Sequence, residues 1–357
     1  MKDILIIGGG IAGISTGARL APHAKVVVLE AEEALAYHAS GRSAALYEAN
    51  YGMPSTIALA RASGDFYRKD TDYLSPRGLM VLAKADEETA FRRDLDKMKL
   101  VEISIDEAAE KLPILNRDVV AFAGYQEKAW DIDTDRLIQD FAKTIRSHRG
   151  EIHLKSPVQS ITQEGRWKVT TPTGVYEADI LINAAGAWVD EIAAMAGIKP
   201  IGFTPNRRSV ARIPAPDGLD PKSWPMFFGV DEGWYCKPDA GSLIVSPAEE
   251  DPTTPHDAWA EDMVLAEGLA KYEEMTTDEV TRLQSNWAGL RTFSPDRNLV
   301  IGPSTENPAF FWVAGQGGYG FLSAPAYSQL AADLILGNAP SLPDELVKLL
   351  SPERFAA

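Results

Sequence analysis

Apolar and polar residues alternate in blocks along the chain, and the length of each block predicts a structural element. Residues 4–7 and 26–29 are short apolar runs, separated by a glycine turn and by a helix of small residues from about 11 to 20. Continuous apolar runs of this length are typical of parallel strands that are buried on both faces. Residues 3–30 are therefore predicted to form one strand–helix–strand unit of a doubly wound sheet.

Later segments repeat this pattern. Apolar strands at 179–183 and 310–314 and a final helix at 321–336 are predicted to complete the first sheet. Asp133 is the predicted N-cap of a helix that ends near His148.

The middle of the chain follows a different pattern. Residues 200–247 alternate short β-like segments with proline and glycine, as an antiparallel sheet would. Residues 86–100 form a predicted charged helix whose acidic and basic side chains, Asp94 included, are expected to face solvent. The predicted fold class is α/β, with a doubly wound Rossmann-like domain and a second, mainly antiparallel α+β domain.

The composition excludes several classes of partner. Of the 357 residues, 51 are Asp or Glu and 35 are Lys or Arg, which gives a net charge of −16. Nucleic-acid-binding proteins present clustered positive charge, so no nucleic-acid partner is expected. Cys236 is the single cysteine, and the histidines show no metal-ligand spacing. We therefore predict no internal disulfide and no metal site.

The same features suggest where the protein resides. The longest apolar runs have the length of strands, so no integral membrane segment is expected. Met1-Lys2-Asp3 leads directly into a strand, without a charged-then-apolar export signal. A single cysteine also fits a reducing compartment. The sequence thus predicts a cytoplasmic protein.

The turn after the first strand carries a nucleotide-binding motif. Residues 8–13 fit the pattern G-x-G-x-x-G, directly after a strand and at the start of a helix. Gly8 allows the tight turn, Gly10 lets a pyrophosphate approach the backbone, and Gly13 allows close packing of helix and strand. Glu30 ends the second strand, where a carboxylate can accept hydrogen bonds from ribose hydroxyls. This unit alone predicts NAD or FAD and leaves the choice open.

Two further segments suggest contacts with the same ligand. Residues 40–44 provide hydroxyls, amides and the Arg42 guanidinium, which suit a second approach to pyrophosphate. Residues 315–320 also fit the glycine pattern, but no strand follows their helix, so they do not complete a second nucleotide unit. The start of that helix is suited instead to an electron-rich group such as a reduced flavin.

These motifs resemble the flavoproteins that oxidise amines and D-amino acids, a family that includes D-amino acid dehydrogenases and oxidases, glycine oxidase and sarcosine oxidase. The similarity extends over nearly the whole chain and is closest to bacterial D-arginine dehydrogenases. It rests on residues 8–13, 30, 38, 41–45, 178–179, 183–188, 207–209, 235–239, 287–291 and 317–320.

The resemblance implies non-covalent FAD between two domains. Residues 1–75, 134–198 and 286–357 are expected to form the FAD-binding domain, and residues 76–133 and 199–285 the substrate-binding domain. The FAD contacts that it implies are Gly8, Gly10, Ile11, Ala12, Gly13, Leu29, Glu30, Ala31, Ser40, Gly41, Arg42, Ser43, Ala44, Val158, Ala184, Ala185, Gly186, Trp188, Gly289, Arg291, Gly317, Gly318, Tyr319, Gly320 and Phe321.

The resemblance also implies the substrate contacts. Arg208 and Arg291 match the arginines that hold a substrate carboxylate, Tyr235 matches a tyrosine that hydrogen-bonds it, and Tyr51 matches one on a loop over the site. Gly318 matches the backbone near the flavin ring and the substrate amine. Strand alternation predicts that only one of Arg208 and its neighbour points inward.

Two departures from the family concern the substrate side chain. Relatives that take cationic D-amino acids have a carboxylate where this chain has Leu79, and a histidine where it has Leu46. A buried cation without a partner is penalised by several kcal/mol. We therefore expect an apolar or small D-amino acid, oxidised by hydride transfer from its α-carbon to flavin N5 and released as a 2-oxo acid and ammonia.

Two other functions remain possible from the sequence. One is a secondary-amine oxidase that acts on glycine or sarcosine with the same carboxylate clamp. The other is a flavin-binding subunit without catalytic activity. The sequence leaves open whether oxygen, a quinone or another carrier reoxidises the flavin.

Overall fold

The computed structural model describes residues 2–69 and 72–356. Four residues of the predicted FAD-binding domain, Met1, Asp70, Thr71 and Ala357, lie outside the described residues. The strands, in chain order, are β1 (Asp3–Ile7), β2 (Lys25–Leu29), β3 (Leu46–Tyr47), β4 (Leu74–Pro76), β5 (Leu79–Ala83), β6 (Val101–Ile103), β7 (Phe122–Gln126), β8 (Trp130–Ile132), β9 (Glu151–His153), β10 (Ser160–Glu164), β11 (Arg166–Thr171), β12 (Gly174–Ala178), β13 (Ile180–Asn183), β14 (Thr204–Pro214), β15 (Met226–Gly229), β16 (Tyr235–Asp239), β17 (Ser242–Ser246), β18 (Asp251–Pro252), β19 (Ser285–Phe293), β20 (Val300–Pro303) and β21 (Phe310–Ala314).

Helices lie between these strands and after them. They are α1 (Ile11–Leu20), α2 (Pro54–Lys69), α3 (Glu88–Met98), α4 (Ile105–Lys111), α5 (Thr134–Ser147), α6 (Val189–Met195), α7 (Asp262–Met275), α8 (Gly320–Leu336) and α9 (Asp344–Leu350). Within residues 2–69 and 72–356, no helix combines the length and the apolar character needed to cross a membrane.

The first sheet has six strands in the order β20-β21-β13-β1-β2-β9. β1 pairs in parallel with β2 and β13, whereas β20 pairs antiparallel with β21. Alternate residues of β1 enter different cores: Ile4 and Ile6 pack with α1, α5 and α8, and Leu5 and Ile7 pack with β11 and α6. Both faces of the central strand are therefore covered, which explains its continuous apolar sequence.

The second sheet is mixed and mostly antiparallel. Its order is β18-β14-β17-β16-β15-β5-β7-β6, β15 and β5 are parallel, and β19 pairs with the other edge of β14. β19 begins close to residue 286, where we placed the return to the FAD-binding domain, yet its partner belongs to the substrate-side sheet. The predicted domain boundaries remain a prediction.

Local sequence signals correspond closely to the observed elements, with one correction. α1 has the predicted bounds, and the side chain of Asp133 caps α5 by accepting a hydrogen bond from the Arg136 amide at 3.0 Å. The prediction of a wholly solvated charged helix was wrong for Asp94. That residue is 5% exposed and accepts a hydrogen bond from the Asp231 amide at 2.8 Å, because α3 packs against the turn after β15.

Two glycines bring the first turn close to its neighbours. Gly8 has a φ of +109°, and a Cβ there would lie 2.3 Å from the Ala184 carbonyl oxygen. A Cβ at Gly13 would lie 2.0 Å from the Gly8 carbonyl oxygen. No larger residue fits at either position, so the start of α1 lies directly against the ends of β1 and β13.

Candidate active site

An elongated cleft begins at the carboxyl ends of β1, β2 and β13. Open α/β sheets bind ligands at this edge, at the point where the strand order reverses. The predicted FAD contacts that line this part of the cleft are Gly8, Gly10, Leu29, Glu30, Ala31, Ser40, Arg42, Val158, Ala184, Ala185, Gly186, Trp188 and Gly289.

Glu30 is fixed at the end of β2 by backbone donors. Its Oε2 accepts a hydrogen bond from the Gly9 amide at 2.6 Å, and its Oε1 accepts one from the Glu32 amide at 2.8 Å. A carboxylate has about four acceptor positions, so lone pairs remain for other donors. This geometry suits the ribose contact predicted for Glu30.

The Ser40–Ala44 loop lines the cleft and is held by hydrogen bonds to neighbouring segments. The Ser40 hydroxyl accepts a hydrogen bond from the Ile11 amide at 3.0 Å, so it takes one of the first donors of α1. The Arg42 guanidinium donates to the Ala258 and Ala288 carbonyls and to the Asp257 carboxylate, and its hydrogen bond lowers the pKa of Asp257. The guanidinium thus connects this loop to the region around β19, and the contact of this loop with pyrophosphate remains a prediction.

The cleft continues to the start of α8. The predicted contacts that line this second part are Ile11, Ala12, Ser43, Ala44, Arg291, Gly317, Gly318, Gly320 and Phe321. Three others support the walls: Gly13 packs against the Gly8 carbonyl, Gly41 packs against the Ala36 carbonyl, and the Tyr319 ring lies against Tyr51.

Two buried polar atoms test whether a flavin fits here. Thr292 Oγ1 and Gln316 Nε2 both belong to residues that line the second part of the cleft, and neither finds a hydrogen-bond partner among the described residues. An unpaired buried polar atom is costly, so a polar ligand is expected to pair with them. The carbonyl and N–H groups at the edge of an isoalloxazine ring supply such partners, and the N-terminus of α8 adds a positive dipole. The residues present therefore fit FAD.

A separate pocket opens beside the second part of the cleft. All five predicted catalytic residues line it: Arg208 on β14, Arg291 on β19, Tyr235 on β16, Tyr51 on the loop before α2, and Gly318 before α8. The structure thus brings together residues from opposite ends of the chain, and their roles remain predictions.

The two arginines give this pocket a positive charge. Arg208 donates from Nε to the Glu249 carbonyl at 2.9 Å and from Nη2 to the Glu250 carboxylate at 3.3 Å. Arg291 has no carboxylate within 4.0 Å in the described part of the chain. Burial and the positive charge of Arg291 lower the pKa of Arg208. Two guanidinium groups with one acidic partner between them would be stabilised by an anion.

Strand alternation sends the two adjacent arginines to different sides of β14, as predicted. Arg208 faces the pocket, whereas Arg207 forms ion pairs with Asp251 and Glu261.

The tyrosines close the pocket from different sides. Tyr235 is 7% exposed and lies opposite Phe228 on the neighbouring strand. The Tyr51 hydroxyl donates a hydrogen bond to Glu232 Oε2 at 2.6 Å. Burial and the nearby Glu232 carboxylate raise the pKa of Tyr51.

The rest of the pocket wall is mainly apolar. Leu46 and Leu79, the two departures from the family, both line it, and Leu79 is 2% exposed. Met98, Met226 and Phe228 complete this part of the wall.

Sequence reasoning missed two acidic residues of the pocket. Glu48 is 2% exposed, and its carboxylate accepts hydrogen bonds from the amide and side chain of Asn50 and from Gln126, at 2.9–3.2 Å. Burial raises the pKa of Glu48. Glu232 lies in the turn before β16 and reaches Tyr51. The only sequence signal for Glu232 was its position three residues before Tyr235, and no motif marks Glu232 itself.

Two other residues of chemical interest lie outside the pocket wall. His38 Nε2 lies 2.8 Å from Glu32, and its ring is 4.6 Å from Trp188 in the part of the cleft that contains Glu30. Cys236 is fully buried in the core behind the second sheet, and burial raises the pKa of its thiol. Non-covalent attachment of FAD remains a prediction. In the described part of the chain, no group of acidic, His and Cys side chains has the geometry of a metal site.

Comparison with known proteins gives consistent matches. A family model described as DAO, FAD dependent oxidoreductase, matches residues 3–334. Glycine oxidase from Bacillus licheniformis is 26% identical over 355 residues, which cover 94% of this chain and 93% of that protein. The crystal structure of L-proline dehydrogenase from P. horikoshii has a TM-score of 0.84 and 24% identity, covering 99% of this chain and 98% of that one. Glycine oxidase from Geobacillus kaustophilus has a TM-score of 0.83 and 21% identity, with 98% of both chains covered. These similarities confirm the predicted fold class.

Proposed function

The chain belongs to the DAO family of FAD-dependent oxidoreductases, and from this premise we propose that it oxidises the α-carbon–nitrogen bond of a D-amino acid. Membership of the family confirms FAD as the cofactor. FAD, when bound, supplies the acceptor for the hydride that leaves the α-carbon. The amino acid loses two electrons and two protons, the imino acid takes up water, and a 2-oxo acid and ammonia are released.

One observation carries the proposal: Arg208 and Arg291 line one pocket, and Arg291 has no acidic partner within 4.0 Å among the described residues. A carboxylate binds the planar guanidinium fork in a bidentate way, which fixes both distance and orientation. Tyr235 offers a hydroxyl on the neighbouring wall. These residues would hold the α-carboxylate, so the α-carbon would have a fixed position relative to the cleft.

The apolar wall supports a substrate with an apolar or small side chain. Leu46 and Leu79 stand where relatives that take cationic D-amino acids carry polar groups. Glu48 is a weaker partner for a cation than an exposed carboxylate, because burial raises its pKa and Asn50 and Gln126 already donate three hydrogen bonds to its two oxygens. Only the sequence motifs that resemble D-arginine dehydrogenases support the D configuration, and this pocket disfavours arginine itself.

The test is anaerobic reduction of the FAD-loaded protein by a panel of amino acids. We expect D-alanine, D-leucine or D-methionine to bleach the flavin absorbance, and D-arginine and the L-enantiomers to do so at least tenfold more slowly. Admission of air then distinguishes oxygen as the acceptor from a quinone or another carrier. Equal reduction by D-arginine and D-leucine would contradict the pocket argument.

A second candidate is oxidation of glycine or a secondary amine such as sarcosine. The similarity to glycine oxidase from Bacillus licheniformis supports it, because the same carboxylate clamp would serve a smaller substrate. Faster reduction by glycine or sarcosine than by any D-amino acid would favour this alternative. Bleaching by none of the amines would favour a flavin-binding subunit without catalytic activity.

A further inference from the structure

We propose that Tyr51 and Glu232 form a relay that removes a proton from the substrate amine and releases it to solvent. This inference rests on the proposed function, since it concerns the amine of the same substrate. Both residues line the pocket that contains Arg208 and Arg291.

The chemistry requires such a step. An amino acid in water near neutral pH carries an ammonium group, and hydride can leave the α-carbon only when the nitrogen lone pair is free. The N–H bond of the ammonium breaks as the Tyr51 oxygen takes the proton, and the Tyr51 O–H bond breaks as Glu232 takes its proton. Glu232 then releases that proton to water, so both side chains end as they began.

The hydrogen bond already has the direction that the relay needs. The Tyr51 hydroxyl donates to Glu232 Oε2 at 2.6 Å, so its proton already points at the next acceptor. Of the two lone pairs on the Tyr51 oxygen, one can accept from the Arg291 guanidinium beside it, and the other is left to accept a proton from the substrate. The Tyr51 ring lies 5.3 Å from the Tyr319 ring, so the hydroxyl is held at the pocket rather than free to rotate away.

Glu232 connects the pocket to solvent. Its side chain is 35% exposed, and its Oε1 lies 3.6 Å from Lys97 Nζ on α3. One oxygen of this carboxylate accepts from the Tyr51 hydroxyl and the other lies near the surface. The carboxylate can therefore accept a proton from the pocket and release it to solvent.

The turn that carries Glu232 is held in an unusual conformation. Asp231 and Glu232 both have a φ of 56°, which is uncommon for residues other than glycine. α3 fixes this turn, because Asp94 accepts the Asp231 amide and Arg93 pairs with the Asp231 carboxylate. Strained backbone persists where the surrounding contacts over-determine it, and such positions cluster at functional sites.

The other charged groups at the pocket favour loss of the proton. Arg208 on β14 and Arg291 on β19 bring two positive charges to it, and like charges disfavour an ammonium group. The other titratable groups on this side include Tyr235 on β16, Tyr319 before α8, the buried Glu48, and Glu250, which pairs with Arg208. Burial and the Glu232 carboxylate raise the pKa of Tyr51, so its hydroxyl stays protonated. Tyr51 therefore transfers a proton to Glu232 and does not remain as a tyrosinate.

The test is the pH dependence of flavin reduction in Glu232→Gln, with the fastest D-amino acid among alanine, leucine and methionine. A glutamine cannot take the proton, so the variant depends on the fraction of substrate that is already a free amine. We expect its apparent second-order rate constant to rise about tenfold per pH unit below the pKa of the amine. At pH 7 the rate constant of the variant should be at least tenfold lower than that of the wild type. At high pH the two rate constants should become equal.

Several controls separate the relay from a structural effect. Asp231→Asn removes the same charge from the same turn without touching Tyr51. The amide of residue 231 can still donate to Asp94, so the turn should be kept and the pH profile should match the wild type. Glu232→Asp keeps a carboxylate and should restore part of the activity at pH 7. If Glu232→Gln does not fold, Tyr51→Phe replaces it as the test and should show the same pH dependence. Binding of pyruvate, which has a carboxylate and no amine, should change less than twofold in Glu232→Gln.

The outcomes are distinguishable. A Glu232→Gln profile that matches the wild type, or that lies below it by a constant factor at every pH, would overturn the relay. If no D-amino acid reduces the flavin of the wild-type protein, the proposed function itself fails, whatever the variants do.

Discussion

Arg291 is a cation in a strand that otherwise contributes apolar and small residues to the cleft. Gly318 packs so closely against it that a Cβ at that position would lie 2.8 Å from Arg291 Cζ. The glycine therefore lets the backbone hold the guanidinium in place, and any larger residue would displace it. An arginine fixed in this way binds an anion with little further loss of side-chain entropy.

We predict that Arg291→Ala weakens substrate binding strongly and leaves FAD bound. A bidentate, charge-assisted interaction contributes about 3 kcal/mol, so the amino acid concentration for half-maximal reduction should rise roughly 100-fold or more. Steady-state kinetics and the flavin spectrum measure the two effects. Arg207→Ala is the matched control, because Arg207 points away from the pocket. If both variants weaken substrate binding equally, Arg291 does not bind the substrate carboxylate.

Single residues also show which parts of the site the sequence could predict. Arg208, Arg291 and Tyr235 stand in motifs that resemble a known family, and all three line one pocket. Glu232 and Glu48 were missed because their positions in the pocket depend on contacts that are distant in sequence. Glu232 bonds a hydroxyl 181 positions away, and Glu48 bonds the Gln126 side chain 78 positions away as well as the nearby Asn50. No local periodicity contains that information.

Among the elements, those with a strong local signal were predicted best. The bounds of α1 and β21 agree with the apolar pattern, because each is fixed by residues a few positions apart. The turn between β15 and β16 is the opposite case. Its left-handed residues Asp231 and Glu232 are held by α3, so its conformation depends on packing that the local sequence does not encode.

The N-terminus of α8 is the element that we expect to act on the flavin ring. Gln316 Nε2 is a buried donor at this end of the cleft, and it finds no partner among the described residues. A donor at the polar edge of the ring would stabilise FAD in the cleft and, above all, its reduced form, which carries negative charge there.

We predict that Gln316→Leu lowers both FAD affinity and the flavin reduction potential. Loss of a hydrogen bond of about 1 kcal/mol should weaken binding of oxidised FAD roughly fivefold. If reduced FAD loses about 1.4 kcal/mol more than oxidised FAD, the two-electron reduction potential falls by about 30 mV. Equilibrium titration and dye-linked potentiometry measure these changes. Gln329→Leu is the control, because the Gln329 amide bonds Asp333 on the same helix, and identical behaviour of the two variants would contradict the assignment.

On the scale of the whole molecule, the chain passes between the two sheets several times. β1 and β2 lie in the first sheet and β5 to β7 in the second, β9 and β13 return to the first, β14 to β19 lie in the second, and β20 and β21 end in the first. The cleft is lined from both sheets, which is why residues as far apart as Ser40 and Gly318 meet there. Domain boundaries in such a chain follow long-range pairing, such as that of β19 with β14, which composition and local pattern do not show.

The C-terminal segment is attached to this framework by a charged network. Arg354 donates from Nε and Nη2 to the two oxygens of Asp296, at 2.7 and 3.1 Å. Arg354 also bonds the carbonyl of Asn298, whose side chain accepts a hydrogen bond from Ser55 at the start of α2. The network thus connects the end of the chain to the helix that follows the Tyr51 loop.

This network predicts a specific dependence of stability on pH. Burial would raise the pKa of Asp296, but hydrogen bonds from Arg354, Ser294 and Asn298 outweigh it and lower the pKa to about 2. Because the folded pKa lies below the unfolded value of about 3.9, the stabilisation is present above pH 4 and is lost as the pH falls through 2. The Asp296 side chain is 36% exposed, so screening reduces its contribution to about 1 kcal/mol.

We therefore expect Asp296→Asn to lower the free energy of unfolding by about 1 kcal/mol at neutral pH, with a difference that shrinks between pH 4 and pH 2 and then vanishes. Urea unfolding of the FAD-loaded protein across this range measures it. Glu353→Gln makes the same charge change on an exposed neighbour of Arg354 and should show no such pH dependence. A difference between Asp296→Asn and wild type that stays constant down to pH 2 would mean that the variant perturbs packing rather than the charged network.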